Sequence, residues 1–466
     1  MQRTAILNVV GLTPRLISEA TPNIRAFMQR NRIGRVQPGL PAVTCSMQST
    51  YLTGRLPRDH GIVGNGWYDR DYAETRFWKQ ANSLVSGEKL WEALRRVDPE
   101  FSCAKLFWWF NMYSSADYAI TPRPLYPADG SKVFDIHTQP MGLRERLKKD
   151  LGAFPFQHFW GPASGIESTQ WIAASAKWVE EKCWPSLNLV YLPHLDYDLQ
   201  RYGIDSEKIA RALKAIDDIV GDLVAFFDKR NVKVILLSEY GITNVDRPVH
   251  LNRLFREKGW LSIKKELGRD ALDLGGCKVF AIADHQVAHI YFNDHSIAPQ
   301  VTELLQSTPG VGQVLGKQEK FFAGIDHPRC GDLVAVADFR SWFTYYFWER
   351  DRDAPDYARC VDIHRKAGYD PVELFLNPKI RYPKAKLACK LAFKTVGMRT
   401  LFDVVPLDAT LVKGSHGRIP EDPLDWPVLI GDLPNLPRSV SLSAHEVCDH
   451  LYEHCARGSG YGSIGK

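Results

Sequence analysis

No stretch of this 466-residue chain is long and apolar enough to form a bilayer-spanning helix, which excludes a helical transporter or channel. The 9 cysteines are scattered, odd in number and without a Cys-x-x-Cys pair. That argues against a zinc ribbon, a dithiol redox motif or a disulfide framework, and reduced thiols in a cytoplasm are the expectation. Charge of one sign is also scarce. Lys plus Arg number 59 against 54 Asp plus Glu, a net +5 that favours anions without implying a nucleic-acid partner. The first apolar run, Ala5 to Val10, is too short for a secretory-signal core and reads as a buried strand. No internal repeat is present, and composition leaves the oligomeric state open.

What is there is ordinary globular material. Hydrophobic residues make up 45% and charged residues 24%, enough for one large unit with insertions. Thr4 to Val10 reads as a strand, and Thr21 and Pro22 cap and open a helix after it. Asn188 to Leu192 and Val232 to Leu237 read as further strands. Between them lies a long helix from Ser206 to about Arg230, with apolar spacing at Ile209, Leu213, Ile216 and Val220. Apolar strands alternating with helices predict an α/β fold whose mostly parallel sheet is covered by helices. Chemistry in such sheets gathers beyond the carboxyl ends of strands, where Asp196, Glu239 and the segment after Val10 fall. From about 250 to 410 the strands are shorter (Val287 to Phe292, Leu333 to Val336) and prolines are frequent. We therefore expect a core of residues 1–250 and 405–440, an inserted lobe or cap over 251–404, and a flexible tail over 456–466. The aromatic-rich segment 66–140, with Trp67, Trp78, Trp108 and Trp109, reads first as packing and second as a substrate wall.

The segments that suggest chemistry lie far apart. Pro41 disfavours helix before it, and Cys45 to Leu52 can follow as a helix ended by Gly54. Thr44 then stands at a helix N-terminus, where free N–H groups and the dipole favour a phosphate or an alkoxide. A threonine in that place is ordinarily a cap. Asn65 follows 21 positions later in His60-Gly61-Ile62-Val63-Gly64-Asn65. Asp196 ends Leu192-Pro193-His194-Leu195-Asp196, and His416 lies in Gly414-Ser415-His416-Gly417.

In that order, with Leu52-Thr53-Gly54-Arg55-Leu56-Pro57-Arg58-Asp59-His60 between, these segments resemble the alkaline phosphatase superfamily in its nucleotide pyrophosphatase/phosphodiesterase branch. The resemblance implies an alkaline-phosphatase-like core and hydrolysis of a phosphodiester or pyrophosphate of a small molecule. It also implies Thr44 as nucleophile and the Asn65 amide as donor to a phosphate oxygen. Members of the branch bind two divalent ions, typically zinc. Here Asp196 and His416 match two of the ligands, while Gln200 stands where a His is expected and would be a weak donor. Val10 replaces an Asp, and Glu239-Tyr240 replaces an Asp-His pair. The expectation is an eroded centre holding one ion (Zn, Mn or Mg) through Asp196, Glu239 and His416. His194 and Asp198 flank Asp196 as replacement ligands if that stretch is extended, or else as loop hydrogen-bonders.

Asp362 to Leu374 also resembles an element of bacterial members of the branch. His364 and Lys366 either bind an anionic leaving group or hold the lobe to the core; with Tyr240 and His194 they complete the candidate substrate contacts. The rival readings are a weak or inactive relative that binds a phosphorylated metabolite or a partner, and a biosynthetic enzyme with altered chemistry. Two further clusters read mainly as solvated helix. One is His445, Cys448, His450, His454 and Cys455. The other is the basic run Lys384, Lys386, Lys390, Lys394 and Arg399 with Leu387, Leu391 and Phe393 between, a type that also sits on membrane surfaces or acidic partners.

Overall fold

Every residue of the first strand, β1 (Thr4–Val9), is buried, because neighbouring strands flank it on both edges and helices cover the sheet. The computed structural model describes residues 1–395, 397–398, 400–433, 435–436 and 440–457. Of the expected tail, 458–466 lie outside the described residues, as does Arg399 of the basic run.

After β1 come α1 (Pro22–Gln29), β2 (Arg32–Gln37) and α2 (Thr44–Thr53). Three more strands follow, β3 (Cys103–Leu106), β4 (Tyr118–Pro122) and β5 (Ile136–Gln139). Next are α3 (Ile166–Cys183), β6 (Leu187–Leu192), α4 (His194–Tyr202), α5 (Lys208–Asp228) and β7 (Lys233–Leu237). A four-stranded antiparallel sheet is built from β8 (Val279–Asp284), β9 (Val287–Phe292), β10 (Val311–Leu315) and β11 (Leu333–Ala337), in the order β8-β9-β11-β10. Then follow α6 (Pro383–Thr395), β12 (Val428–Gly431), β13 (Val440–Ser443) and α7 (Val447–Ala456).

The main sheet has nine strands in the order β13-β2-β12-β7-β1-β6-β3-β4-β5. The central run β7-β1-β6-β3-β4 is parallel, and β12 and β5 are antiparallel to their neighbours. This is the mostly parallel α/β sheet expected from the strand composition. Register brings Val9 level with Leu192 and Asn8 level with Leu237. The residues following β1, β6 and β7 therefore meet at one end of the sheet. Strand β13 also joins this sheet, so the chain contributes to it beyond residue 440.

Two local expectations change. Thr21 precedes α1 but makes no side-chain cap; the buried Asp217 carboxylate of α5 accepts from the backbone N–H groups of Asn23 (3.1 Å) and Ile24 (2.8 Å) instead. The stretch after Leu192 is helix, not extended chain, because Pro193 precedes α4 and leaves its first turn free to form. Aromatic residues of segment 66–140 largely serve packing: Trp91 and Trp108 are completely buried in the core around the main sheet. Trp78 packs edge-on against Trp109 (5.0 Å) and Tyr369 (6.1 Å), beside the site described next.

Candidate active site

Thr44 is the first residue of α2 and is buried. The strap before it is tied to the far end of the chain. Ala42 donates its N–H to the Gly417 carbonyl (2.8 Å), and His416 Nδ1 donates to the Ala42 carbonyl (2.8 Å). Gly417 has φ +117, and a Cβ there would lie 3.1 Å from the Gln286 backbone nitrogen. The left-handed backbone and the close approach both require glycine. With its Nδ1 proton committed to Ala42, His416 turns the Nε2 lone pair toward Asp196, whose Oδ1 lies 3.8 Å away. Burial holds His416 well below the usual imidazole range, so the ring is neutral.

Asp196 projects from the first turn of α4 and is buried. Its Oδ1 accepts from the Tyr240 hydroxyl (3.1 Å) and its Oδ2 from the Gln200 amide (2.8 Å), one helical turn on. Gln200 Oε1 accepts from the Tyr369 hydroxyl (3.1 Å). The Tyr240 hydroxyl is also 3.3 Å from Thr44 Oγ1, and its ring lies flat on His416, centroids 3.6 Å apart. Glu239, just beyond β7, is buried as well. Its Oε1 accepts from Asn8 Nδ2 and Gln48 Nε2, each at 2.5 Å. Its Oε2 has no hydrogen-bond partner. The next glycine, Gly241, has no room for a side chain, since a Cβ would fall 1.8 Å from the Asp425 carbonyl oxygen.

Burial pushes Asp196 up to about 7 and Glu239 up to about 8. Hydrogen bonds from Tyr240 and Gln200 pull Asp196 the other way, and those from Gln48 and Asn8 do so for Glu239; in both, burial outweighs them.

Asn65 sits at the same helix N-terminus as Thr44. Its Oδ1 accepts from the Cys45 N–H (3.0 Å), and its Nδ2 donates to Asp284 Oδ1 (3.1 Å). One amide hydrogen of Asn65 is thus spent on Asp284 and one is left for a ligand. Asp284 also accepts from the Asn65 backbone N–H (2.7 Å) and from His285 Nδ1 (2.8 Å). The His285 ring stacks on Tyr369 (3.6 Å) and leans on His416 (3.8 Å).

The fold therefore brings together Thr44, Asn65, Asp196, Gln200, Glu239, Tyr240 and His416. It adds Asn8, Gln48, Asp284, His285 and Tyr369, which the sequence reading missed. Asp284-His285 carried a legible signal: it ends the apolar run Val279 to Ala283, as Glu239-Tyr240 ends Val234 to Leu237. Asn8 and Gln48 carried none beyond being polar residues in buried elements.

Three expectations are corrected. Lys366 is not a free anion-binding cation; it is buried between Asp370 (2.7 Å) and Glu373 (2.6 Å) and ties its loop together. His194 and Asp198 do not flank Asp196, because α4 is helical and two-residue spacing puts them on the opposite side, on a stripe with Arg201. The metal-ligand set is also not assembled as expected. Among the described residues no three His, Cys, Asp or Glu side chains group as a metal site. Both Asp196 oxygens and Glu239 Oε1 accept from amide and phenol groups, the Gln200 carbonyl faces Tyr369, and of these carboxylate oxygens Glu239 Oε2 alone has no partner. Asp196 and His416 alone fall short of the three protein ligands a catalytic ion needs. The donors present do not fit the ion that the resemblance implied. His364 is exposed, with Nδ1 3.3 Å from the Phe77 carbonyl oxygen, and no contact joins it to Thr44 or Asp196.

Comparison with known proteins decides the lineage. The chain matches the type I phosphodiesterase / nucleotide pyrophosphatase family over residues 4–370. It belongs to that family. Among family relatives, an uncharacterized pyrophosphatase/phosphodiesterase of Schizosaccharomyces pombe is 27% identical over 267 residues, covering 55% of this chain and 47% of that protein. Ectonucleotide pyrophosphatase/phosphodiesterase 2 of Saccharomyces cerevisiae is 22% identical over 267 residues, covering 52% and 48%. The matched regions thus span about half the length of these curated relatives. Among solved structures, phosphonoacetate hydrolase from Sinorhizobium meliloti with phosphonoacetate superposes with a TM-score of 0.61 at 14% identity, covering 98% of this chain and 96% of that one. An inactive threonine-to-alanine variant of murine ectonucleotide pyrophosphatase/phosphodiesterase 5, in complex with AMP, gives 0.58 at 13%, covering 100% and 98%. At such identities these structures establish the shared fold.

Proposed function

We propose that this family member hydrolyses a phosphoric ester of a small molecule, a phosphodiester or pyrophosphate, with Thr44 as the attacking group. The observation that carries the reading is the placement of Thr44 at the opening of α2, its hydroxyl against Tyr240 and Glu239, with the Asn65 amide at the same helix end. Thr44 Oγ attacks phosphorus and its proton passes to Glu239, whose raised pKa makes its anion a matched base in mildly alkaline solution. The free hydrogen of the Asn65 amide and the helix N-terminus stabilise the charge growing on the phosphoryl oxygens. The ester group leaves, and water then releases the phosphothreonine. The inactive threonine-to-alanine variant of the murine relative supports this role for a threonine.

A second reading is binding of a phosphorylated metabolite without turnover. It is favoured by the phenol and amide donors on the two Asp196 oxygens and by the doubly occupied Oε1 of Glu239, where other members would hold ions. The test is hydrolysis of bis-para-nitrophenyl phosphate by wild type and Thr44→Ala, alongside calorimetric titration with AMP. Turnover lost in the variant supports the hydrolase. AMP binding with no turnover supports the second reading. Equal turnover in wild type and variant refutes the nucleophile.

A further inference from the structure

The segment from Leu374 to Phe402 contains seven Lys or Arg (379, 381, 384, 386, 390, 394 and 399) and no Asp or Glu. The whole chain carries +5, so everything outside this segment sums to −2. The positive charge of the protein is concentrated in one excursion, which leaves the fold just after Glu373 and returns at Asp403.

The helix in that excursion, α6, is mounted with Leu387 half-buried and most of its other apolar residues outward. Lys386 and Lys390 pair with Asp403 at 3.1 and 2.6 Å, fixing that stripe of the helix to the returning chain. Ala385, Ala388, Cys389, Ala392 and Phe393, spaced along another side of the helix, are all exposed. Leu391 is 54% exposed and Phe393 43%, and flanking Tyr382, Met398 and Leu401 are 64%, 48% and 46% exposed. A surface helix ordinarily turns its apolar stripe to the core. Exposed apolar side chains gathered in one patch mark an interaction surface. Exposed Lys379 and Arg381 border it, and the Arg381 guanidinium lies over the Tyr382 ring at 5.3 Å.

We propose that α6 and its flanks dock on a membrane surface rich in anionic lipid. Exposed aromatic and aliphatic side chains bordered by Lys379 and Arg381 are the makeup of a helix that lies in the bilayer interface. An acidic protein or a nucleic acid would engage the cations and leave Leu391 and Phe393 in water. A second copy of the chain, paired about this patch, would set the exposed Lys379 and Arg381 against like charges. Docking of this kind does not depend on the hydrolase reading.

The test is sedimentation of the full chain with phosphatidylcholine vesicles, with and without phosphatidylglycerol. Binding is expected only with the anionic lipid, weakening as salt rises. Each interfacial charge contributes about five-fold to affinity, so Lys379→Glu with Arg381→Glu is expected to reduce binding by more than an order of magnitude. Leu391→Ser with Phe393→Ser is expected to reduce it about ten-fold with the thermal unfolding midpoint unchanged. A polarity-sensitive fluorophore on exposed Cys389 of otherwise unaltered protein should shift to the blue with anionic vesicles. No vesicle binding, equal binding to neutral vesicles, or a dimer broken by the Leu391 and Phe393 substitutions would overturn the proposal. So would heparin binding that persists in that double variant without any vesicle binding.

Discussion

Glu239→Gln tests the charge state of the site. Glu239 is buried beside Asn8 and Gln48, and burial lifts its carboxyl from 4.5 to about 8. In the unfolded chain the group titrates near its ordinary value. Below pH 4.5 both states hold the proton, and Glu239 contributes nothing to the pH dependence. From there to pH 8 the folded state keeps a proton that the unfolded chain has released, so stability falls with rising pH at about 1.4 kcal/mol per pH unit. The accumulated loss by pH 9 is about 5 kcal/mol, the same slope carried across the whole interval between the two pKa values. The amide introduced by Glu239→Gln keeps an oxygen for Asn8 and Gln48 and cannot ionise. The variant is therefore expected to match wild type near pH 4 and to exceed it increasingly up to pH 9, by at most about 5 kcal/mol. Urea unfolding followed by tryptophan fluorescence across that range measures the difference. Parallel curves for the two proteins would refute the assignment. A variant less stable than wild type above pH 5 would mean that Glu239 is ionised there, as a bound cation would make it.

Elemental analysis of protein purified without chelators is expected to find less than one divalent ion per chain. The quadruple variant Val10→Asp, Gln200→His, Glu239→Asp, Tyr240→His is expected to gain ions, because it restores the ligand types the resemblance implies. Thr44→Ala is expected to lose turnover of any phosphoester the wild type hydrolyses, by at least about 100-fold, while retaining the fold; stopped assays on both proteins check it. Lys366→Met leaves Asp370 and Glu373 buried without their cation and is expected to cost about 3–5 kcal/mol in urea unfolding.

Much of the scaffold was legible. The apolar runs at Thr4 to Val9, Leu187 to Leu192 and Lys233 to Leu237 became parallel neighbours in the main sheet, because strands buried on both faces need continuous apolar sequence. The Thr44 helix ends at Gly54, which adopts the left-handed conformation that closes it. The stretch around Asp196 was less legible, since alternate polar residues suit a strand or a loop as well as one turn of helix. For Lys366 the resemblance left an anion contact and a structural tie equally open, and only burial shows that Asp370 and Glu373 already occupy it.

The sequence by itself determined the family's marker segments, the elements that carry them and the presence of Val10, Gln200 and Tyr240 where the resemblance implies ligands. These are local properties of residue type and spacing. Only the tertiary structure decided what replaced the ligands. Asn8 and Gln48 reach Glu239 across 231 and 191 positions, and Asn65 reaches Asp284 across 219. Each pairing depends on strand register and on how α2 meets the sheet. A buried carboxyl must find its partners wherever the fold delivers a donor, and nothing in the local sequence around Glu239 or Asp284 records which donor that is.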